Sequence, residues 1–121
     1  MKPGHTGIGR LYHALRFSRA GIAAAWKHEQ AFRQEAVLCV ILLPVALVFA
    51  QDAVQLILAT GSLFLLLVVE LLNSAIEAAI DRFGGERHEL SGRAKDMASA
   101  AVLFSLLNVL VVWGILLYQW L

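Results

Sequence analysis

Glu70, Asn73, Ser74, Glu77 and Asp81 close an otherwise apolar run that begins at Val54. At about 100° per residue, offsets of 3, 4, 7 and 11 return to nearly one side of a helix. The five polar groups therefore share a face, with Leu71, Leu72, Ile76, Ala79 and Ile80 opposite. Carboxylates on a membrane helix are costly to place and usually functional. Several carboxylates with an amide suit a hard, oxygen-liganded cation such as Mg²⁺. Zinc does not fit, because no Cys/His pairing has ligand spacing. His88 and Lys95, with Arg82, Arg87 and Arg93 nearby, are placed to neutralise phosphates. Acids for a metal plus bases for phosphates make up the inventory of phosphoryl transfer, in which positioning and charge neutralisation do most of the work. A carboxylate slightly inside the bilayer, such as Glu70, can serve as general base toward a lipid hydroxyl. Neither G-x-x-x-x-G-K-[ST] nor G-x-G-x-x-G occurs, so the chain belongs to neither large nucleotide-binding class.

The elements that must position these groups follow from composition. A chain of 121 residues, 60% of them hydrophobic, with a mean hydropathy of +0.71, lies outside the soluble globular class and has room for one domain. The single cysteine, Cys39, falls in an apolar run and reads as a buried packing thiol. The first residues have no apolar core followed by a small-residue cleavage site, so no removed leader is expected. Three segments are long and apolar enough to cross a bilayer. Met97–Leu121 carries no charge, and the middle segment meets its first at Glu70. The first, Ala36–Ala50, reaches only about 22 Å, so Phe32, Gln34 and Glu35 must enter the interface with Arg33 snorkelling. Pro44 is expected to kink that helix. Ahead of it, Ile8, Leu11, Tyr12, Leu15, Ile22 and Trp26 recur at helical spacing with the basic residues mostly elsewhere, the pattern of a helix lying in the membrane interface.

All ten Lys and Arg residues fall in two places: six before the first span and four between the second and third. The positive-inside rule then puts the N-terminus and the second loop in the cytoplasm, and the first loop and C-terminus outside. Counting from Val54, Glu70 lies about 24 Å along the helix and Glu77 about 34 Å, against a hydrocarbon core of about 30 Å. Glu29, Glu35, Lys95 and Asp96 reach the same level. The charges form one layer at the inner interface and none lies at the midplane, where a transporter holds its site. Simpler readings stand beside this one: Asn73, Ser74 and Asn108 as interhelical hydrogen-bonding groups, and Glu29 and Glu35 as interfacial charges paired with Lys27 and Arg33.

Specific motifs sharpen the reading. Glu70-Leu-Leu-Asn-Ser-Ala-Ile-Glu77, Asp81-Arg82, His88-Glu-Leu-Ser-Gly-Arg-Ala-Lys-Asp96 and Glu29-Gln-Ala-Phe-Arg-Gln-Glu35 together resemble the small integral-membrane diacylglycerol kinases of bacteria, over almost the whole chain. The resemblance implies ATP-dependent, Mg²⁺-requiring phosphorylation of diacylglycerol to phosphatidate in the bacterial inner membrane, by a homotrimer with shared active sites. It implies Glu70 as general base and Glu29 and Glu77 as metal ligands. Arg10, Phe17, Glu29, Glu77, Glu86, Arg87, His88, Lys95 and Asp96 fall at ATP-binding positions. Ala31, Phe32, Arg33, Gln34, Glu35, Glu70 and Ser99 fall at positions bordering the lipid, and Asn73 and Asp81 in the essential polar set. Phe17 stands where the family commonly has an aromatic hydroxyl, and Leu56 where a basic residue is common. Phosphoryl transfer would be direct, with no covalent phospho-enzyme.

The expected architecture is an all-α integral membrane protein in one domain, residues 1–121. It has an N-terminal amphipathic interfacial helix (about 6–27) and three transmembrane helices (about 30–50, 54–81 and 95–120). The expected function is that of a lipid kinase. The rivals are a polyprenol (undecaprenol) kinase, a small proton-coupled transporter using Glu70, and a non-catalytic membrane scaffold.

Overall fold

In a computed structural model, which describes residues 6–83 and 88–121, the chain forms four helices: α1 (Gly7–His28), α2 (Gln30–Phe49), α3 (Ala53–Asp81) and α4 (Glu89–Trp120). Helix α1 starts at Gly7, whose φ of 61° lies in the left-handed region open to glycine. A single extended residue, Glu29 (φ −117°, ψ 107°), separates α1 from α2. Helix α2 runs through Pro44 to Phe49. The turn into α3 is closed by Asp52, whose side chain accepts from the Gln55 amide at 2.8 Å, a helix N-cap. The imidazole of His88 caps α4 in the same way, Nδ1 accepting from the Leu90 amide at 3.1 Å.

Helices α2, α3 and α4 are each long and apolar enough to cross a membrane; this is a multi-pass, all-α membrane protein. At 1.5 Å per residue, the 20 residues of α2 match a hydrocarbon core of about 30 Å. With 29 and 32 residues, α3 and α4 are about 44 and 48 Å long and extend beyond that core. Their excess length carries the polar groups out of the apolar slab.

Helix α3 is the centre of the bundle, packing most extensively on α4 and then on α2, while α1 touches α2 and α3. The core joins Cys39 and Ala46 of α2, Ala59, Leu63 and Leu66 of α3, and Val109, Trp113 and Leu116 of α4. Ala46 and Ala59 are both fully buried. Small side chains let membrane helices approach closely, because association there relies on packing rather than on exclusion of water. Trp113 Nε1 donates to the Ala59 carbonyl at 3.2 Å, and the Cys39 thiol points at the Leu63 carbonyl, 3.8 Å away. Outward-facing Val40, Ile41, Val48, Phe104 and Leu110 are left exposed, a surface suited to lipid or to further copies of the chain.

Candidate active site at one end of the bundle

The polar face expected of α3 is present and is turned inward. Glu70 is only 4% exposed, whereas Leu72 on the opposite side is 59% exposed. Around Glu70 this inverts the pattern of a soluble amphipathic helix, while Glu77 is half-buried and Asp81, at the end of the face, is exposed. Asn73 sits between the two carboxylates that are its neighbours by helical spacing. Its Nδ2 donates to Glu70 Oε2 at 3.3 Å and to Glu77 Oε1 at 2.7 Å. From α2, the Glu35 side chain reaches the Glu70 carboxyl. The structure thus lines up Glu35, Glu70, Asn73 and Glu77.

Among the described residues three buried side-chain oxygens find no hydrogen-bond partner: Glu35 Oε1, Asn73 Oδ1 and Ser74 Oγ. All three lie at this end. Leaving a buried acceptor unsatisfied costs about 1–3 kcal/mol, and these three are concentrated in one place. Beside it a cavity of about 550 Å³ opens between α1 and α3, walled by small and apolar residues such as Gly21, Ala25, Leu71 and Ala75, with Ser18, His28, Glu29 and Ser74 as its polar members.

The remaining expected site residues are distributed as follows. Lys95 Nζ pairs with Asp81 Oδ1 at 3.1 Å, joining the end of α3 to the start of α4; the two side chains are 42% and 63% exposed. An ion pair so open to solvent is weak. Arg10 and Phe17 lie exposed on α1, with Asp96 and Ser99 exposed on α4. His88 keeps Nε2 directed away from the cap it makes through Nδ1. Glu86 and Arg87 lie outside the described residues. Of the 31–35 stretch, Ala31 and Gln34 are exposed and Phe32 is buried. Arg33 is not paired with Glu29. Its Nη1 donates to the Trp26 and Lys27 carbonyls at 2.7 and 3.3 Å. Among the described residues no three His, Cys, Asp or Glu side chains converge as a ready metal cage. Two features were missed from sequence: Ser74 as a cavity residue, though its i+4 spacing from Glu70 was legible, and the Glu35–Glu70 approach, for which a separation of 35 residues leaves no local signal.

A sequence profile of the prokaryotic diacylglycerol kinases matches residues 16–117. The chain belongs to that family. It is 48% identical over 114 residues to the diacylglycerol kinase of Escherichia coli (strain K12), covering 94% of this chain and 93% of that protein. It is 46% identical over 114 residues to the diacylglycerol kinase of Pseudomonas aeruginosa, with the same coverage. The diacylglycerol kinase of Haemophilus influenzae is 44% identical over 113 residues, 93% of this chain and 96% of that one. The profile match takes in all of α2 and α3 and most of α1 and α4, the helices that build the carboxylate line and the cavity.

Proposed function

We propose that this membrane-embedded lipid kinase transfers the γ-phosphoryl group of ATP to diacylglycerol, giving phosphatidate, at the cytoplasmic face of a bacterial inner membrane. The observation that carries the reading is the buried carboxyl of Glu70, held by the Asn73 amide at the membrane-proximal end of an acidic line. A lipid hydroxyl arrives there from the apolar side, and a nucleotide from the polar side where α3 and α4 project.

In this mechanism Glu70 accepts the proton of the primary hydroxyl. The hydroxyl oxygen forms a bond to the γ-phosphorus as the bond to the β–γ bridging oxygen breaks, and ADP leaves with that electron pair. Asn73 fixes the Glu70 carboxyl while its second bond holds Glu77. Glu29 and Glu77 suit the Mg²⁺ that accompanies ATP. Glu29 opens on the cavity, Glu77 commits one oxygen to Asn73, and Mg²⁺ takes one or two carboxylates when phosphates and water complete its shell. That ion supplies charge neutralisation on the transferring phosphoryl group. Arg10, His88, Lys95 and Asp96, with Phe17, Glu86 and Arg87, hold the nucleotide. The 31–35 stretch and Ser99 border the lipid. A homotrimer completes each site, since one protomer offers too few side chains to surround both substrates. This reading puts the N-terminus in the cytoplasm and the C-terminus in the periplasm, a placement supported by the distribution of basic residues.

The test uses purified protein in mixed micelles with Mg²⁺ and labelled ATP, offering diacylglycerol and undecaprenol in parallel. Label in phosphatidate is the expected result. Label mainly in polyprenyl phosphate would assign the chain a different acceptor, and no lipid product from folded protein would refute the reading.

A further inference from the structure

The break between α1 and α2 leaves the Trp26, Lys27 and His28 carbonyls without the amides that a continuous helix would bring to them. Two of these carbonyls are recovered from an unusual direction. Arg33, in the first turns of α2, folds back and donates Nη1 to Trp26 O at 2.7 Å and Lys27 O at 3.3 Å. A guanidinium at a helix C-terminus also meets the negative end of the helix dipole. The Glu29 carbonyl meanwhile accepts the Arg33 amide at 3.2 Å, and the Glu29 amide donates to Ala25 O at 2.8 Å. The one extended residue is thus held from both sides.

The second consequence concerns charge. Glu29 and Arg33 have the i, i+4 spacing and the acid-first order that favour an ion pair. No such pair forms; the guanidinium is committed to carbonyls, and Glu29 lines the cavity beside His28. We propose that Arg33 is a positioning residue, whose grip on the last turn of α1 fixes the α1–α2 junction and leaves Glu29 free to face a divalent cation. The cation part rests on the function proposed above; the junction part does not.

The experiment compares full-length wild type, Arg33→Ala, Arg33→Lys, Glu29→Gln and the Arg33→Ala/Glu29→Gln double variant. Mn²⁺ binding in the presence of a non-hydrolysable ATP analogue is read from the loss of the free-Mn²⁺ resonance. Separately, spin labels at Arg19→Cys and Val40→Cys, in a Cys39→Ala background diluted with unlabelled protein, report the α1–α2 distance. Arg33→Ala is expected to weaken Mn²⁺ binding about 10- to 100-fold, as loss of a group that orients a ligand does, and to broaden the distance distribution. Arg33→Lys should fall between, since an ammonium keeps the charge without the planar fork. In the Glu29→Gln background the Arg33→Ala loss should vanish. A full additional loss in the double variant would overturn the proposal. So would an Arg33→Ala chain that changes only the apparent KM for diacylglycerol, or an unchanged label distance. Glu29→Gln protein that binds Mn²⁺ like wild type would overturn the cation part alone, while the label distance still decides the junction.

Discussion

The two ends of α3 treat polar groups in opposite ways. At the Gln55 end the polar side chains pair with one another. Gln55 accepts from the Gln51 amide and from Trp120 Nε1, both at 2.9 Å, and donates to Gln119 Oε1 at 3.1 Å. Trp120 stacks on Phe49 and meets Trp113 edge-on, with ring centroids 6.1 and 5.9 Å apart. That network ties α2, α3 and α4 together. At the Glu70 end the side chains point inward just as firmly, yet Glu35, Asn73 and Ser74 each retain a buried oxygen without a partner. The helix pair there is linked by the exposed Asp81–Lys95 bridge. Both ends are polar; they differ in spare hydrogen-bonding capacity, which among the described residues is found at the Glu70 end.

Substitutions at each end should break this contrast in order of size. Glu70→Gln keeps the shape but removes the base, and should lower the rate of labelled phosphatidate formation about 10²- to 10⁴-fold. Chemical crosslinking should show its assembly unchanged. Asn73→Ala removes a donor shared by two carboxylates. Hydrogen bonds to charged groups contribute about 1.5–3 kcal/mol each, so turnover should fall about 10- to 100-fold, a smaller loss than that of the base itself. If Asn73→Ala were as damaging as Glu70→Gln, the amide would have a direct part in transfer. At the opposite end Gln55→Leu with Trp120→Phe should leave turnover intact. Its cost is stability: roughly 0.5–1.5 kcal/mol, given the modest worth of hydrogen bonds between membrane helices, read by unfolding in a denaturing detergent. Equal loss of activity there would erase the distinction between the ends. Smallest of all, Asp81→Asn should change stability by less than about 1 kcal/mol, and added salt should shrink the difference further.

What sequence alone determined is the part governed by local periodicity and by the bilayer. Three apolar lengths, one basic-rich loop between the second and third, and an acidic face from Glu70 to Asp81 all follow from 3.6 residues per turn and the thickness of a hydrocarbon slab. The same rule made Asn73 a neighbour of both Glu70 and Glu77. Even the simpler reading of Glu29 and Glu35 as interfacial charges paired with Lys27 and Arg33 was a sound local inference. For Arg33 it failed because the backbone breaks at Glu29, and the Trp26 and Lys27 carbonyls left open by the break take the guanidinium instead. Tertiary structure decided which acids meet across helices, placing Glu35 of α2 against Glu70 of α3, and how Gln55 finds Gln119 from 64 residues away. It also decided that Ser74 lines a cavity with Glu29. These contacts depend on the rotation of each helix about its axis and on where Ala46 and Ala59 let backbones approach. Both are set by packing across the bundle, and no local periodicity records them.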